Sequence, residues 1–385
     1  MRHVLRNSVR LGLVALVAGA MTAPAASAAP GAAYTQTNDL SDNQLVVFDR
    51  FADGTLAQRQ VVSTGGQGST QDVGCGAGCP ILDSSGSVDA TENGRLVFAV
   101  NAGSNTVSSF RETPNGLVLV DQEPSGGSLP ESITTSGDLL YVLNVNSGTI
   151  SGLRFDSAGN MTPIPGSTRS LASGPAAQAR QVSFSPRGDY LVVTELLTSQ
   201  IDTFAVGKAG TPGPAVAHPS QRPLPFGFDF DQKDHFVVSE LQSLDGTGAA
   251  SSYELTKSGD VIPLDSEQTN AVLPCWVAIP PDGKNAFVVN TGAGAPALVT
   301  RFGLARTGDL TFLGNTSAGD NDFAETDAFI SRDGKFLYVL APSVIPPLGS
   351  TSHIDEYRIG NDGSLTKIGS TPSNLPPGDT GLDGV

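Results

Sequence analysis

The sequence predicts an all-β fold, a seven-bladed β-propeller of four-stranded antiparallel blades, on three observations. The 385 residues include 45 glycines and 26 prolines but only 16% charged residues, and no long stretch has the apolar spacing of an amphipathic helix. A short apolar strand that ends in a polar or small residue recurs along the whole chain. Most copies follow a tight-turn dipeptide and precede an alternating strand, which makes each unit a meander.

From the N-terminus, Arg2, Arg6 and Arg10 stand before an apolar run from Leu11 to Met21, and Ala26-Ser27-Ala28 has the small-x-small pattern of a signal-peptidase site. Residues 1–28 are therefore expected to be a signal peptide cleaved near Ala28/Ala29, and residues 29–385 one exported, extracellular propeller domain. The apolar run is shorter than the roughly 20 residues that span a bilayer, and no later segment is long or apolar enough. Loss of the three arginines leaves 19 basic against 38 acidic residues, a formal −19. Such a surface repels phosphate backbones, so nucleic acid is excluded as a partner.

Six copies of the apolar strand are clear: Leu96–Asn101, Leu139–Asn144, Tyr190–Glu195, His235–Glu240, Asn285–Asn290 and Phe336–Ala341. Ala33–Asn38 is a weaker seventh. Their last residues are 63, 43, 51, 45, 50 and 51 positions apart, and all but the first interval fit a four-stranded blade with its loops. Turns such as Asn93-Gly94, Arg187-Gly188, Asp282-Gly283 and Asp333-Gly334 precede the copies, and strands such as Leu45–Arg50, Thr149–Arg154 and Ile354–Arg358 follow them. The first unit lacks an innermost strand while spare residues 378–385 follow the last, so the C-terminus is expected to complete blade one.

The long first interval holds Gly74-Cys75-Gly76-Ala77-Gly78-Cys79. In an exported chain Cys75 and Cys79 are expected to form a disulfide. The competing reading is half a metal site, but His218, His235 and His353 are scattered singly, so no metal or other cofactor is expected. Cys275 beside Trp276 reads as a small buried hydrophobe.

Innermost-strand starts and second-strand ends lie on one face of a propeller. The ends are Asn38, Asn101, Asn144, Glu195, Glu240, Asn290 and Ala341. The starts include Glu131, Ser132, Gln178, Arg180, Phe226, Cys275, Trp276, Glu325 and Asp327. A polar mouth with an aromatic patch suits a small-molecule ligand bound by a monomer. Glu195 and Glu240, on neighbouring blades, are candidates to share one pocket with Arg180, giving three candidate catalytic residues. Asn101, Asn144, Asn290, Phe226, Trp276 and Asp327 are candidate substrate-binding residues. The competing reading makes Arg180 and Glu195 a structural pair and the asparagines loop ligands.

Asp53-Gly54-Thr55-Leu56, Thr64-Gly65-Gly66, Val100–Ser104, Phe184-Ser185-Pro186-Arg187-Gly188 and Leu310-Thr311-Phe312 resemble the lactonase-type propellers. That family includes 6-phosphogluconolactonase and the 3-carboxy-cis,cis-muconate lactonising enzyme. Pro225-Phe226-Gly227-Phe228 and Cys275-Trp276-Val277 are similar to its secreted bacterial branch, often labelled carboxymuconate cyclase. The resemblance implies hydrolysis of a lactone at the mouth, with Glu240 matching the family's glutamate. Arg180 stands where the family has a histidine, and Phe226, Cys275 and Trp276 fall where it has basic residues. This leaves three expectations: a lactonase for a neutral or weakly charged cyclic ester, a non-catalytic propeller binding a small molecule or protein, and, least favoured, a muconate-type cyclase or isomerase.

Overall fold

The computed structural model describes residues 31–70, 82, 85–241, 247–291, 297–318, 327–341, 352–375 and 379–385. The proposed signal peptide, Cys75, Cys79 and Glu325 lie outside the described residues.

Seven antiparallel sheets make the ring, and in each the strands run in order from the axis outward. Blade two comprises Val88–Ala90, Leu96–Asn101, Thr106–Thr113 and Gly116–Pro124, and blade five Pro225–Phe230, His235–Glu240, Ala249–Leu255 and Val261–Gln268. The innermost strands of blades three, four, six and seven are Pro130–Ser136, Ala179–Phe184, Pro274–Ala278 and Asp327–Ile330. In blade three a fifth piece, Arg169–Ser170, joins Met161–Pro163 against the third strand. The six clear copies of the repeat are the second strands at the residues read from sequence. The weak seventh sits two residues earlier, at Gly31–Gln36.

Second strands such as Leu96–Asn101 are buried throughout because blades pack on both of their faces, which is why they read as unbroken apolar runs. Outermost strands such as Leu56–Ser63 face water over most of their length. Core clusters bridge neighbouring blades: Val192 and Ile201 of blade four pack with Phe228, Phe236 and Tyr253 of blade five. Gly54 shows why the turn glycines are needed, since its φ is +94° and a Cβ there would lie 2.2 Å from the Phe336 ring.

Thr380–Gly384 is the innermost strand of blade one, paired antiparallel with Gly31–Gln36. Ala32 and Val385 exchange backbone hydrogen bonds of 3.2 and 2.8 Å, and Arg50 Nε donates to the Val385 carbonyl at 3.2 Å. Strands from the two ends of the chain thus close the ring within blade one.

Candidate functional site

Among the described residues the polar second-strand ends of blades two to six form interblade locks. Asn101, Asn144, Glu195, Glu240 and Asn290 are all buried. A hydroxyl residue stands where the chain crosses from the preceding blade, at Thr64, Ser125, Ser173, Ser220 and Thr269. Thr64 Oγ1 donates to Asn101 Oδ1 at 2.6 Å, and Asn101 Nδ2 donates to Ser108 Oγ at 2.9 Å. Asn144 Nδ2 donates to the Ser125 carbonyl and to Ser151 Oγ, at 3.3 and 2.9 Å. Asn290 Nδ2 donates to Thr300 Oγ1 at 2.9 Å, and that hydroxyl donates to the Thr269 carbonyl at 3.3 Å.

The two glutamates occupy the same place and carry the same duty. Glu195 accepts from Ser173 N and Oγ at 3.0 and 2.5 Å and from Thr198 Oγ1 at 2.5 Å. Glu240 accepts from Ser220 Oγ (2.8 Å), Arg222 N (3.0 Å), Ser251 Oγ (2.5 Å) and Tyr253 OH (3.1 Å). Burial raises the Glu240 pKa, and these donors oppose the rise. These bonds do not build the expected joint pocket of Glu195, Glu240 and Arg180: each glutamate is held at the crossover into its own blade, and among the described residues no hydrogen bond or ion pair joins either to Arg180. The polar ends point at the crossover because it carries otherwise unsatisfied groups. Beside Glu195, burial and then the glutamate's charge push Asp202 up to about 7.

Three first-strand starts, in blades four, five and six, come into contact through Arg180, Phe226 and Trp276. In blades three, four, five and six the register slips at the start of the innermost strand, between Pro130 and Ser132, Ala179 and Gln181, Pro225 and Phe228, and Pro274 and Trp276. Such bulges re-aim side chains. The residues they carry are Glu131, Arg180, Phe226 with Gly227, and Cys275. The Arg180 guanidinium carbon lies 5.7 Å from the Phe226 ring centroid, a cation–π contact, and Phe226 meets Trp276 edge to face at 5.4 Å. Glu131, Arg180, Phe226 and Trp276 are each 2% exposed or less. Cys275 is buried too, its sulfur 3.1 Å from Thr291 Oγ1. Arg180, Phe226 and Trp276 are the three that the sequence offers as site candidates, and Glu131 and Cys275 stand in it only as mouth residues.

Below the mouth the channel is a cavity of about 390 Å³ lined by Asp89, Asp229, Asp327, Asp383 and Arg332. These acids clasp the next blade: Asp383 accepts from Ala90 N at 2.6 Å, Asp229 from Ile279 N at 2.7 Å, and Asp327 from Leu382 N at 3.1 Å. Gln181 continues the ring through the Phe228 N–H, at 2.7 Å. Arg332 reaches from blade seven past blade one to the carbonyls of Ala90 and Thr91, at 3.1 and 2.8 Å. Burial, more than their mutual charge, pushes Asp89, Asp229 and Asp327 up to about 7 and Asp383 to about 6, while Arg332 draws Asp89 and Asp383 down. Asp327, expected to bind substrate, has both oxygens engaged by backbone N–H groups: Oδ2 accepts from Gly86 N at 3.4 Å and Leu382 N at 3.1 Å, and Oδ1 from Ala328 N at 2.8 Å. The other acids were missed; their signal was one acid among buried small or apolar neighbours, as in Val88-Asp89-Ala90 and Phe228-Asp229-Phe230.

Among the described residues no group of three or more His, Cys, Asp and Glu is placed to hold a metal ion, and no helix is long and apolar enough to cross a membrane.

Residues 32–170 match the lactonase family of seven-bladed β-propellers. No curated protein matches the chain in sequence. A proposed 6-phosphogluconolactonase of Bacteroides uniformis superposes with a TM-score of 0.67 at 17% identity, over 92% of this chain and 99% of its own. A second, from Bacteroides fragilis, gives 0.67 and 17% over 94% and 100%. A periplasmic gluconolactonase of Pseudomonas aeruginosa gives 0.66 and 17% over 92% and 99%. At these identities the superpositions show the shared fold.

Proposed function

We propose that this lactonase-family propeller hydrolyses a neutral sugar lactone at the mouth formed by the bulged strand starts. The observation that carries the reading is the series of bulges in four successive blades, with Arg180 on the Phe226 ring, Phe226 in turn on Trp276, and Glu131 at the matching bulge of the neighbouring blade. Irregular strand starts cost ladder hydrogen bonds, and a side chain re-aimed toward a site offsets that cost.

In this scheme Arg180 holds the carbonyl oxygen and stabilises the oxyanion that forms as water attacks. Glu131 takes the proton of that water and returns it to the ring oxygen as the ester bond breaks. The Phe226 and Trp276 side of the site excludes water. The four bulges present one guanidinium, which suits an uncharged aldonolactone better than a phosphorylated one. The names of the superposed gluconolactonases support the same class, and the expected signal peptide would place the activity outside the cell.

The test is acid release from D-glucono-1,5-lactone and from its 6-phosphate, measured by pH-stat above the spontaneous rate. Faster turnover of the neutral lactone supports the reading. Preference for the phosphorylated one overturns the substrate class. The burial of Arg180, Phe226 and Trp276 favours a second reading, binding without turnover, which saturable binding of the lactone with no acid release would select.

A further inference from the structure

At the end of the ring opposite the bulges, the turns between first and second strands of blades two, three and four surround an open groove of about 750 Å³. Its floor is apolar: Leu96, Phe155 and Phe184 line it and are 4%, 8% and 7% exposed. Its rim is polar, with Glu92 and Arg95 from blade two and Ser136 and Ser157 from blade three. These four side chains make no hydrogen bond or ion pair with other described residues, so their donors and acceptors face water. The groove meets the channel at Thr134, Thr135 and Ser183, which line both.

An apolar floor under a rim of planar and hydroxyl groups is matched by a pyranose, whose C–H face is apolar and whose edge carries neighbouring hydroxyls. The Glu92 carboxylate can accept from two such hydroxyls and the Arg95 fork can donate to two. The three apolar side chains of the floor expose little surface among mostly polar lining residues, which disfavours a lipid chain. Three carboxylates, Glu92, Asp138 and Asp156, line the groove against the single guanidinium of Arg95, which disfavours phosphate or sulfate. The volume lies within the range of small-ligand pockets and accommodates two or three sugar units.

We propose that this groove is a binding site for a short neutral oligosaccharide, separate from the bulged mouth, which would anchor the propeller to a glycan surface without chemical turnover. It is tested by saturation-transfer NMR and calorimetry of the purified protein with cellotriose, maltotriose and triacetylchitotriose. The variants are Glu92→Ala, Arg95→Ala and Ser157→Trp, the last filling the groove from an exposed position. The expected result is binding of at least one trisaccharide, weakened about 10-fold by each alanine variant and abolished by Ser157→Trp, with melting temperature and lactone turnover unchanged. Absence of transfer to all three probes, or binding indifferent to Ser157→Trp, overturns the proposal. Lactone turnover is read separately, so either proposal can fail alone.

Discussion

Replacing Glu240 by alanine separates the two roles a buried glutamate could have here. The carboxylate accepts from four donors, Ser220 Oγ, Arg222 N, Ser251 Oγ and Tyr253 OH, all between 2.5 and 3.1 Å away. Tyr253 OH also accepts from Gln221 N at 2.7 Å, so the lock ties the crossover from blade four to the third strand of blade five. A buried donor left without an acceptor costs about 1–3 kcal/mol. The Ser251 hydroxyl can turn to Ser266 Oγ, 2.9 Å away, so the four losses do not simply add. The expected destabilisation is about 3–5 kcal/mol, and Glu240→Gln, which keeps one oxygen acceptor, should cost roughly half of that. Urea unfolding followed by fluorescence of Trp276, the one tryptophan, measures it, alongside lactone turnover per folded molecule. An unchanged unfolding midpoint with turnover lost would refute the structural assignment and return Glu240 to catalysis.

Three further outcomes follow from the ring. Burial pushes Asp89, Asp202, Asp229 and Asp327 up to about 7 and Asp383 to about 6 in the folded chain. Against about 3.9 unfolded, the native state binds more protons, so stability is lost as pH rises from about 4 to 7. The melting temperature should be about 5 °C or more higher at pH 5 than at pH 8 by scanning calorimetry, and a higher value at pH 8 would contradict the raised acids. Deleting Thr380–Val385 removes the innermost strand of blade one with the Leu382 and Asp383 clasps. The truncated chain should lose its cooperative melt, and one melting within a few degrees of the intact protein would show that the closure is dispensable. A Cβ at Gly227 would lie 2.4 Å from the Cys275 carbonyl oxygen, so Gly227→Ala should cost about 1–3 kcal/mol in urea unfolding, and a neutral result would mean that blades five and six can part there.

The ring was legible in the sequence because its second strands are buried on both faces and so repeat one apolar pattern, as Leu96–Asn101 and Asn285–Asn290 do. The closure was legible as an innermost strand missing from the first unit and spare residues after the last. The direction of the strand-end side chains was not. A buried Asn or Glu looks the same in sequence whether it faces a ligand or a crossover, and only the hydroxyls at Thr64, Ser125, Ser173, Ser220 and Thr269 hinted at the locks. The channel ring was hidden for a different reason. Any side chain that can meet the next blade's backbone serves there, so Asp89, Gln181 and Asp229 share a duty without sharing a residue type. Arg180, Phe226 and Trp276 drew notice because an arginine and two aromatics at strand starts stand out against a chain with only 16% charged residues.

The most direct test compares hydrolysis of D-glucono-1,5-lactone by the native protein and by Arg180→Met, with melting curves taken on both. The account predicts that the native protein accelerates hydrolysis and that the variant stays folded while kcat falls about 100- to 1,000-fold, the loss expected when an oxyanion partner is removed. Equal turnover by a folded Arg180→Met would contradict it.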